Sequence, residues 1–313
     1  MELKKDKRGI FFTIIVIVLL IFFVISFTFF SGIVDRKPIN NRVSTLNSFV
    51  SSVDDNLPRQ LHISAFRIIF LLEKQVVDTG DYIPDLNSSF NELFFNGTLN
   101  GNSSQEMQSI MQGATFSDIV NSVNNDAGKV NAQSNIILHS VELTQEDPWN
   151  VKITIDADVE IKDLGGLASW NKTEKISALV PINGFLDPLY LVNTGGVISN
   201  KIVKAQNFPY VSGGDISNLS AYASNSTYVA STSAPDFLDR LQGINEPSAY
   251  GIESIVNIPY LSAQGIQTKS KSVVDYIYFS SDNPSFFGVN GMPYWFKLDD
   301  SHLNFYGVGH LKN

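Results

Sequence analysis

The chain has 313 residues, 22 of them basic and 31 acidic, giving a formal net charge of -9 and a pI near 4.9. That length suits an anchor plus one large or two small domains, at roughly 100–200 residues per domain. An acidic chain without a long basic stretch lacks the clustered Lys and Arg that displace counterions from phosphates, which sets nucleic-acid binding aside. The absence of cysteine removes disulfides, thiol nucleophiles and Cys-type zinc sites together.

The first element is apolar. Lys4, Lys5, Lys7 and Arg8 precede Gly9, and from Ile10 to Phe30 no charged residue occurs. About 21 such residues span roughly 30 Å of hydrocarbon as one helix, because a helix satisfies its own backbone groups in lipid. A cleavable signal has an apolar core of only about 7–15 residues and a small-x-small site, which Ser31-Gly32-Ile33-Val34-Asp35-Arg36 does not supply. The spacing predicts a transmembrane helix over 10–30 behind a basic cytoplasmic leader over 1–9. Only Arg36 and Lys37 lie just beyond the span, so the positive-inside rule places the N-terminus in the cytoplasm and the rest outside, in a single pass of the cell membrane.

Lys7-Arg8-Gly9 followed at once by Ile10-Phe11-Phe12 resembles the class III signal of archaeal type IV pilins and pilin-like proteins. The resemblance covers about the first 30 residues. It implies cleavage between Gly9 and Ile10 by a prepilin peptidase. It also implies an apolar helix kept as membrane anchor before assembly and as filament core afterwards, with membrane lipid and like subunits or other envelope proteins as partners. A small flexible residue between the charges and the helix suits such a cut. A simple signal anchor in which Gly9 is incidental is the other reading.

A membrane-proximal helical region is expected over 31–131. Val43, Leu46, Val50, Val53 and Leu57 alternate at spacings of three and four, the seam of an amphipathic helix capped by Asn40 or Asn41, with Pro58 ending it or beginning the next helix. A second helix over 59–77 presents Leu61, Ala65, Ile68, Ile69, Leu72 and Val76 and stops at Thr79-Gly80-Asp81. Residues 81–104 read as a loop carrying an aromatic island at Phe90, Leu93, Phe94 and Phe95. Short helices are expected at 105–111 and 116–123, the second capped by Thr115.

A β-rich ectodomain is expected over 132–313. Val151, Ile153, Ile155, Ala157, Val159 and Ile161 alternate with Lys152, Thr154, Asp156, Asp158, Glu160 and Lys162, the period of a half-buried strand. Partners at 136–143 and 173–182 lie across short connections, which favours an antiparallel meander. Helices first and strands later give an α+β fold: an N-terminal transmembrane helix, a helical layer, then an antiparallel sheet. Further on, a helix is expected at 235–241 behind a Ser233 cap, with strands at 272–279 and 294–298. Phe185 to Tyr190 reads as a buried turn built on Asp187. A sub-boundary is expected near 184 or within the Ser/Gly/Asn-rich 212–233, the likeliest flexible excursion.

Motifs for chemistry are few. His62, His139, His302 and His310 include no i, i+4 pair, the spacing that would set two imidazoles on one helix face for a metal. No metal, cofactor or catalytic motif is read. Asp299-Asp300-Ser301-His302 reads as a helix cap, since adjacency in sequence is not triad geometry. Asp156, Asp158 and Glu160 read as a solvated strand face shared with Lys152 and Lys162. Sequons at Asn87, Asn96, Asn102, Asn171, Asn218 and Asn225 fall in expected loops or tips, as candidate glycosylation sites of an exported surface.

The function expected is a single-pass, non-enzymatic extracytoplasmic surface protein: a minor pilin, adhesin or envelope scaffold. An anchored ligand- or glycan-binding sensor is the alternative, with Trp149, Trp170 and Trp295 as stacking platforms for sugars. A membrane-tethered hydrolase using Ser301, His302 or the acidic strand row is a third.

Overall fold

The computed structural model describes residues 7–206, 209–212 and 214–313. The leader residues 1–6 lie outside them, and Gly9 and Ile10 fall in the first turn of α1 (Lys7–Thr79). The chain is 46% helical and 23% strand, a mixed fold in which an apolar N-terminal helix is followed by further helices and an antiparallel sheet. Phe11–Phe29 is long and apolar enough to cross a membrane, and all of its side chains are exposed.

α1 is one helix of 73 residues, about 110 Å at 1.5 Å per residue. Of the first predicted seam Leu46, Val53 and Leu57 are buried while Val43 and Val50 are half-buried; of the second, Leu61, Ala65, Ile68, Ile69, Leu72 and Val76 are all buried. Pro58 does not end it. A helical proline forfeits one backbone hydrogen bond and crowds the preceding turn, but the buried stripe runs without a break from Leu57 to Leu61 and packing holds both sides. The helix stops where expected, at Gly80, whose positive φ lets its N–H reach the Val76 carbonyl at 2.9 Å.

The loop expected at 81–104 is half helix. α2 (Leu86–Asn96) is capped by Asp85, which accepts from the Ser88 N–H, and closes on Gly97 with φ 65°. Leu86, Phe90, Leu93 and Phe94 face inward while Phe95 is exposed. α3 (Gln105–Met111) and α4 (Phe116–Lys129) follow, and Thr115 accepts from the Asp118 N–H as predicted. Then come β1 (Ala132–Asp147), β2 (Asn150–Asp163) and β3 (Ser169–Pro181), in the order β1-β2-β3. The apolar face of β2, Val151 through Ile161, is buried throughout.

The rest of the chain is made of short pieces: α5 (Pro188–Asn193), α6 (Ser217–Asn225), β4 (Tyr228–Ala230), α7 (Phe237–Gln242), β5 (Ile252–Ser254) and α8 (Ile258–Ala263). α9 (Asp275–Phe279), β6 (Phe286–Gly288), β7 (Lys297–Asp299) and α10 (Asp300–Phe305) complete it. Two expectations fail here. Of the strand expected at 272–279, residues 275–279 form the helix α9. Asp236, not Ser233, caps α7 by accepting from the Asp239 N–H. The stretch 212–233 holds α6 and β4.

The chain divides into two compact units. The first holds Met1–Asp55, Val123–Asn135 and Val159–Lys172. Within it Arg42 on α1 donates to Asp163 and to the Val130 and Asn131 carbonyls. That guanidinium, with the Leu167 N–H, holds the Asp163 carboxyl below its usual value. Lys172 pairs with Asp54 at 2.5 Å.

The second unit holds Asn56–Ser122, Ile136–Asp158 and Thr173–Asn313. In it Ser64 donates to the Ala114 carbonyl at 2.6 Å, and His62 Nδ1 lies 2.7 Å from the Leu179 carbonyl. Gly251 leads into β5, where a Cβ would overlap the carbonyl oxygens of Ser231 and Ala234. Backbone atoms cannot swing away as a side chain can. Gly251→Ala is therefore expected to part β4 from β5 and lower the melting temperature, which thermal unfolding followed by circular dichroism would register.

Candidate functional site

Most of the charged residues that the second unit buries gather on both sides of β5. β4 and β5 pair antiparallel, with Tyr228 opposite Ser254 and Val229 opposite Glu253. Successive side chains of a strand point to opposite faces, so Glu253 and Ser254 enter different clusters. Each cluster is built from residues far apart in sequence, and β5 is their common wall.

On the Ser254 side the centre is Arg240 of α7, fully enclosed. Its Nη1 donates to Asp187 at 2.6 Å and to Asp275 at 3.0 Å, and its Nη2 donates to the Ile252 carbonyl. Both carboxylates are completely buried and have further donors. Asp187, the N-cap of α5, accepts from the Tyr228 hydroxyl at 2.8 Å and the Leu189 N–H at 2.9 Å. Asp275 accepts from the Ser254 N–H and hydroxyl at 3.0 and 2.9 Å, and the Tyr190 hydroxyl lies 3.0 Å from Ser254 Oγ. Burial disfavours the charge on Arg240, but Asp187 and Asp275 outweigh it and hold its pKa above the ordinary value. Burial raises the Tyr190 and Tyr228 hydroxyls well above theirs, so both remain donors.

On the Glu253 side the centre is His302 of α10. Its Nδ1 lies 2.7 Å from Asp299, and its Nε2 lies 3.3 Å from Glu253 and 3.2 Å from the Tyr276 hydroxyl. Tyr306 donates to Glu253 at 2.5 Å, and Ser272 donates to Asp299 at 2.8 Å. Burial lowers the imidazole pKa, but the bonds to Asp299 and Glu253 prevail and lift it to about 9. Asp299 also caps α10, as expected, by accepting from the His302 N–H.

Such an arrangement holds protons and does not release them: each charged group faces an opposite charge. Its chemical consequence is the joining of segments too short to be stable alone. Raised pKa values set the pH dependence. A His302 that titrates near 9 when folded, against 6.5 when unfolded, contributes stability below pH 6.5 that is lost as pH rises through 9. Glu73, pushed up to about 7 by burial against the pull of the Leu186 N–H and Lys201, has the same sign over a lower window, from about 4.5 to 7. Urea unfolding at pH 6 and pH 9.5 is expected to show higher stability at pH 6, and His302→Gln should narrow that difference.

The residues that a hydrolase would need are placed otherwise. Ser301 is exposed while His302 beside it is buried, and the imidazole's partners are Asp299, Glu253 and Tyr276. Asp158 accepts from Thr173 and pairs with His139 at 3.1 Å, and Glu160 pairs with Lys162 at 2.7 Å. Among the described residues no cluster of three or more His, Cys, Asp or Glu is arranged to hold a metal.

The tryptophans are half-buried: Trp170 on β3 in the first unit, Trp149 and Trp295 in the second. Trp295 packs against Phe296, and the Lys204 ammonium sits 5.1 Å over the Trp149 ring. The sequons are all exposed, but most are not in loops: Asn87, Asn96, Asn218 and Asn225 are helical and Asn171 is on β3, leaving Asn102 in a turn.

The second unit also carries a half-open cleft of about 380 Å³ between residues 203–206 and α6, bordered by Tyr210 and Tyr222. Tyr222 donates to the Glu253 carbonyl at 3.1 Å, and Tyr210 meets Tyr306 edge-on at 4.8 Å, so the cleft backs onto the His302 cluster. Sequence reasoning missed Arg240, Glu253 and Asp275. The available signal was a lone ionisable residue inside an apolar run, as in Ile252-Glu253-Ser254-Ile255-Val256 and Val273-Val274-Asp275-Tyr276-Ile277, since such residues are buried only when paired.

The chain matches no protein-family model, no curated protein and no solved structure.

Proposed function

We propose that this is a single-pass surface protein, pilin-like at its N-terminus, whose folded body makes contacts at the cell envelope as a minor pilin, adhesin or scaffold. One observation carries the reading. The side chains of Phe11–Phe29 are all exposed, on a helix that continues without interruption into the buried stripe beginning at Leu46. A bare apolar rod of that length is stable only in lipid or against similar helices. Basic residues before the span and few after it favour a cytoplasmic N-terminus.

The Arg240 and His302 networks support a binding body over a catalytic one. Their charged groups are paired with one another, as in a fold that must keep its shape outside the cell without disulfides. Mass analysis of the mature N-terminus tests the pilin resemblance. A chain that begins at Ile10 is expected; one that retains Met1 or Glu2 is a plain signal anchor, and one that starts beyond Gly32 overturns the membrane reading altogether.

A further inference from the structure

We propose that the cleft beside Tyr210 and Tyr222 binds a sugar carrying a carboxylate, a hexuronate. This goes beyond the anchored-surface reading and does not depend on it. The cleft's volume of about 380 Å³ falls within the roughly 300–1,000 Å³ of small-molecule sites. Its floor is rigid, because the Ala205 N–H donates to the Tyr228 carbonyl at 2.8 Å and the Tyr228 N–H to the Val203 carbonyl at 2.9 Å. The half-buried Tyr210 is fixed by two rings, Tyr306 at 4.8 Å and Tyr222 at 5.4 Å. A ring so held is a fixed apolar surface on which a pyranose can stack.

The polar groups around that ring have capacity to spare. Among the described residues Gln206, Thr227 and Asn225 make no side-chain hydrogen bond. Asn218 spends only its amide N–H, on the Pro209 carbonyl at 2.9 Å. Neutral amides and hydroxyls of this kind match sugar hydroxyls, which both donate and accept. The cleft has no carboxylate lining and one cation, Lys204, which has no ion-pair partner among the described residues and rests over Trp149. In an acidic protein, a lone ammonium at an acid-free cleft selects an anionic group on an otherwise neutral ligand. A phosphate would find only one cation; a carboxylate needs only the one charge.

The test uses the full chain in detergent micelles, produced without glycan at Asn218 and Asn225 because both sequons border the cleft. Tryptophan emission is the readout, since a ligand on Lys204 disturbs Trp149. Methyl galacturonoside is expected to give a saturable change, with methyl galactoside weaker by about tenfold, the worth of one charge-assisted bond. Lys204→Gln should remove that preference, bringing the uronoside down to the affinity of the galactoside. Tyr210→Ala should abolish both responses, and Asn225→Asp, at an exposed position, should repel the uronate alone. Absence of saturation with the uronoside, equal binding of plain acetate, or a Tyr210→Ala protein that melts normally and binds as before would each overturn the proposal.

Discussion

Arg240→Met is expected to destabilise the second unit more than any other single substitution in it. The guanidinium lies between two carboxylates that have no exposure to solvent. Removing it leaves two like charges enclosed with only neutral donors. Breaking a buried ion pair from one side costs about 3–5 kcal/mol, which for a fold of this size lowers the melting temperature by roughly 6–20 °C. Arg240→Lys should recover little, because one ammonium cannot reach Asp187, Asp275 and the Ile252 carbonyl in the fork geometry that all three require.

The compensating experiment separates charge from packing. Arg240→Met with Asp187→Asn and Asp275→Asn removes the stranded charges, and buried ion networks replaced as a whole are often tolerated. The triple variant is therefore expected to melt above the single one. Thermal unfolding in micelles, followed by near-ultraviolet circular dichroism of the buried tyrosines, measures both. An unchanged melting temperature for Arg240→Met would mean that the network is an accessory and that packing alone fixes these short elements.

What the sequence made legible follows the strength of its periodicities. The buried stripe of α1 and the alternation on β2 are long, regular patterns; the second is realised residue by residue, the first at all but Val43 and Val50. Breakers misled where context overrode them. Pro58 reads as an end, yet apolar residues at the right phase on either side keep α1 whole. Asn96-Gly97 reads as part of a loop, but it closes α2, where glycine takes the left-handed conformation of a helix cap.

The run Ser272 to Phe279 has the β-branched and aromatic content of a strand and is nonetheless partly helical. In α9 Asp275 reaches Arg240 and Ser254 while Tyr276 reaches His302. Those partners come from segments 21–35 residues away, and no local pattern encodes them. Asp187 was legible as a structural carboxylate because it sits in its own turn; Glu253 was not, because its partners His302 and Tyr306 belong to the last stretch of the chain.

Three arginines in the apolar segment of α1, Ile15→Arg with Val18→Arg and Phe22→Arg, are expected to release the protein from membranes, where one alone will not. On the insertion scale each apolar residue of Phe11–Phe29 contributes roughly −0.3 to −0.6 kcal/mol, for a total near −5 to −10 kcal/mol. Each arginine near the centre costs about 2.5–3.5 kcal/mol. A single substitution leaves the balance favourable, helped by the long side chain bending toward the interface. Three reverse it. After alkaline carbonate extraction the unaltered and singly substituted chains should stay in the pellet and the triple variant should move to the supernatant. The same test discriminates mechanisms, because arginines so placed do not touch the folded body: Val77→Arg, on the exposed face of the same helix, should leave the distribution unchanged. A triple variant that stays in the pellet would show that the body, and not the helix, holds the protein at the membrane, and the anchored reading would fall with it.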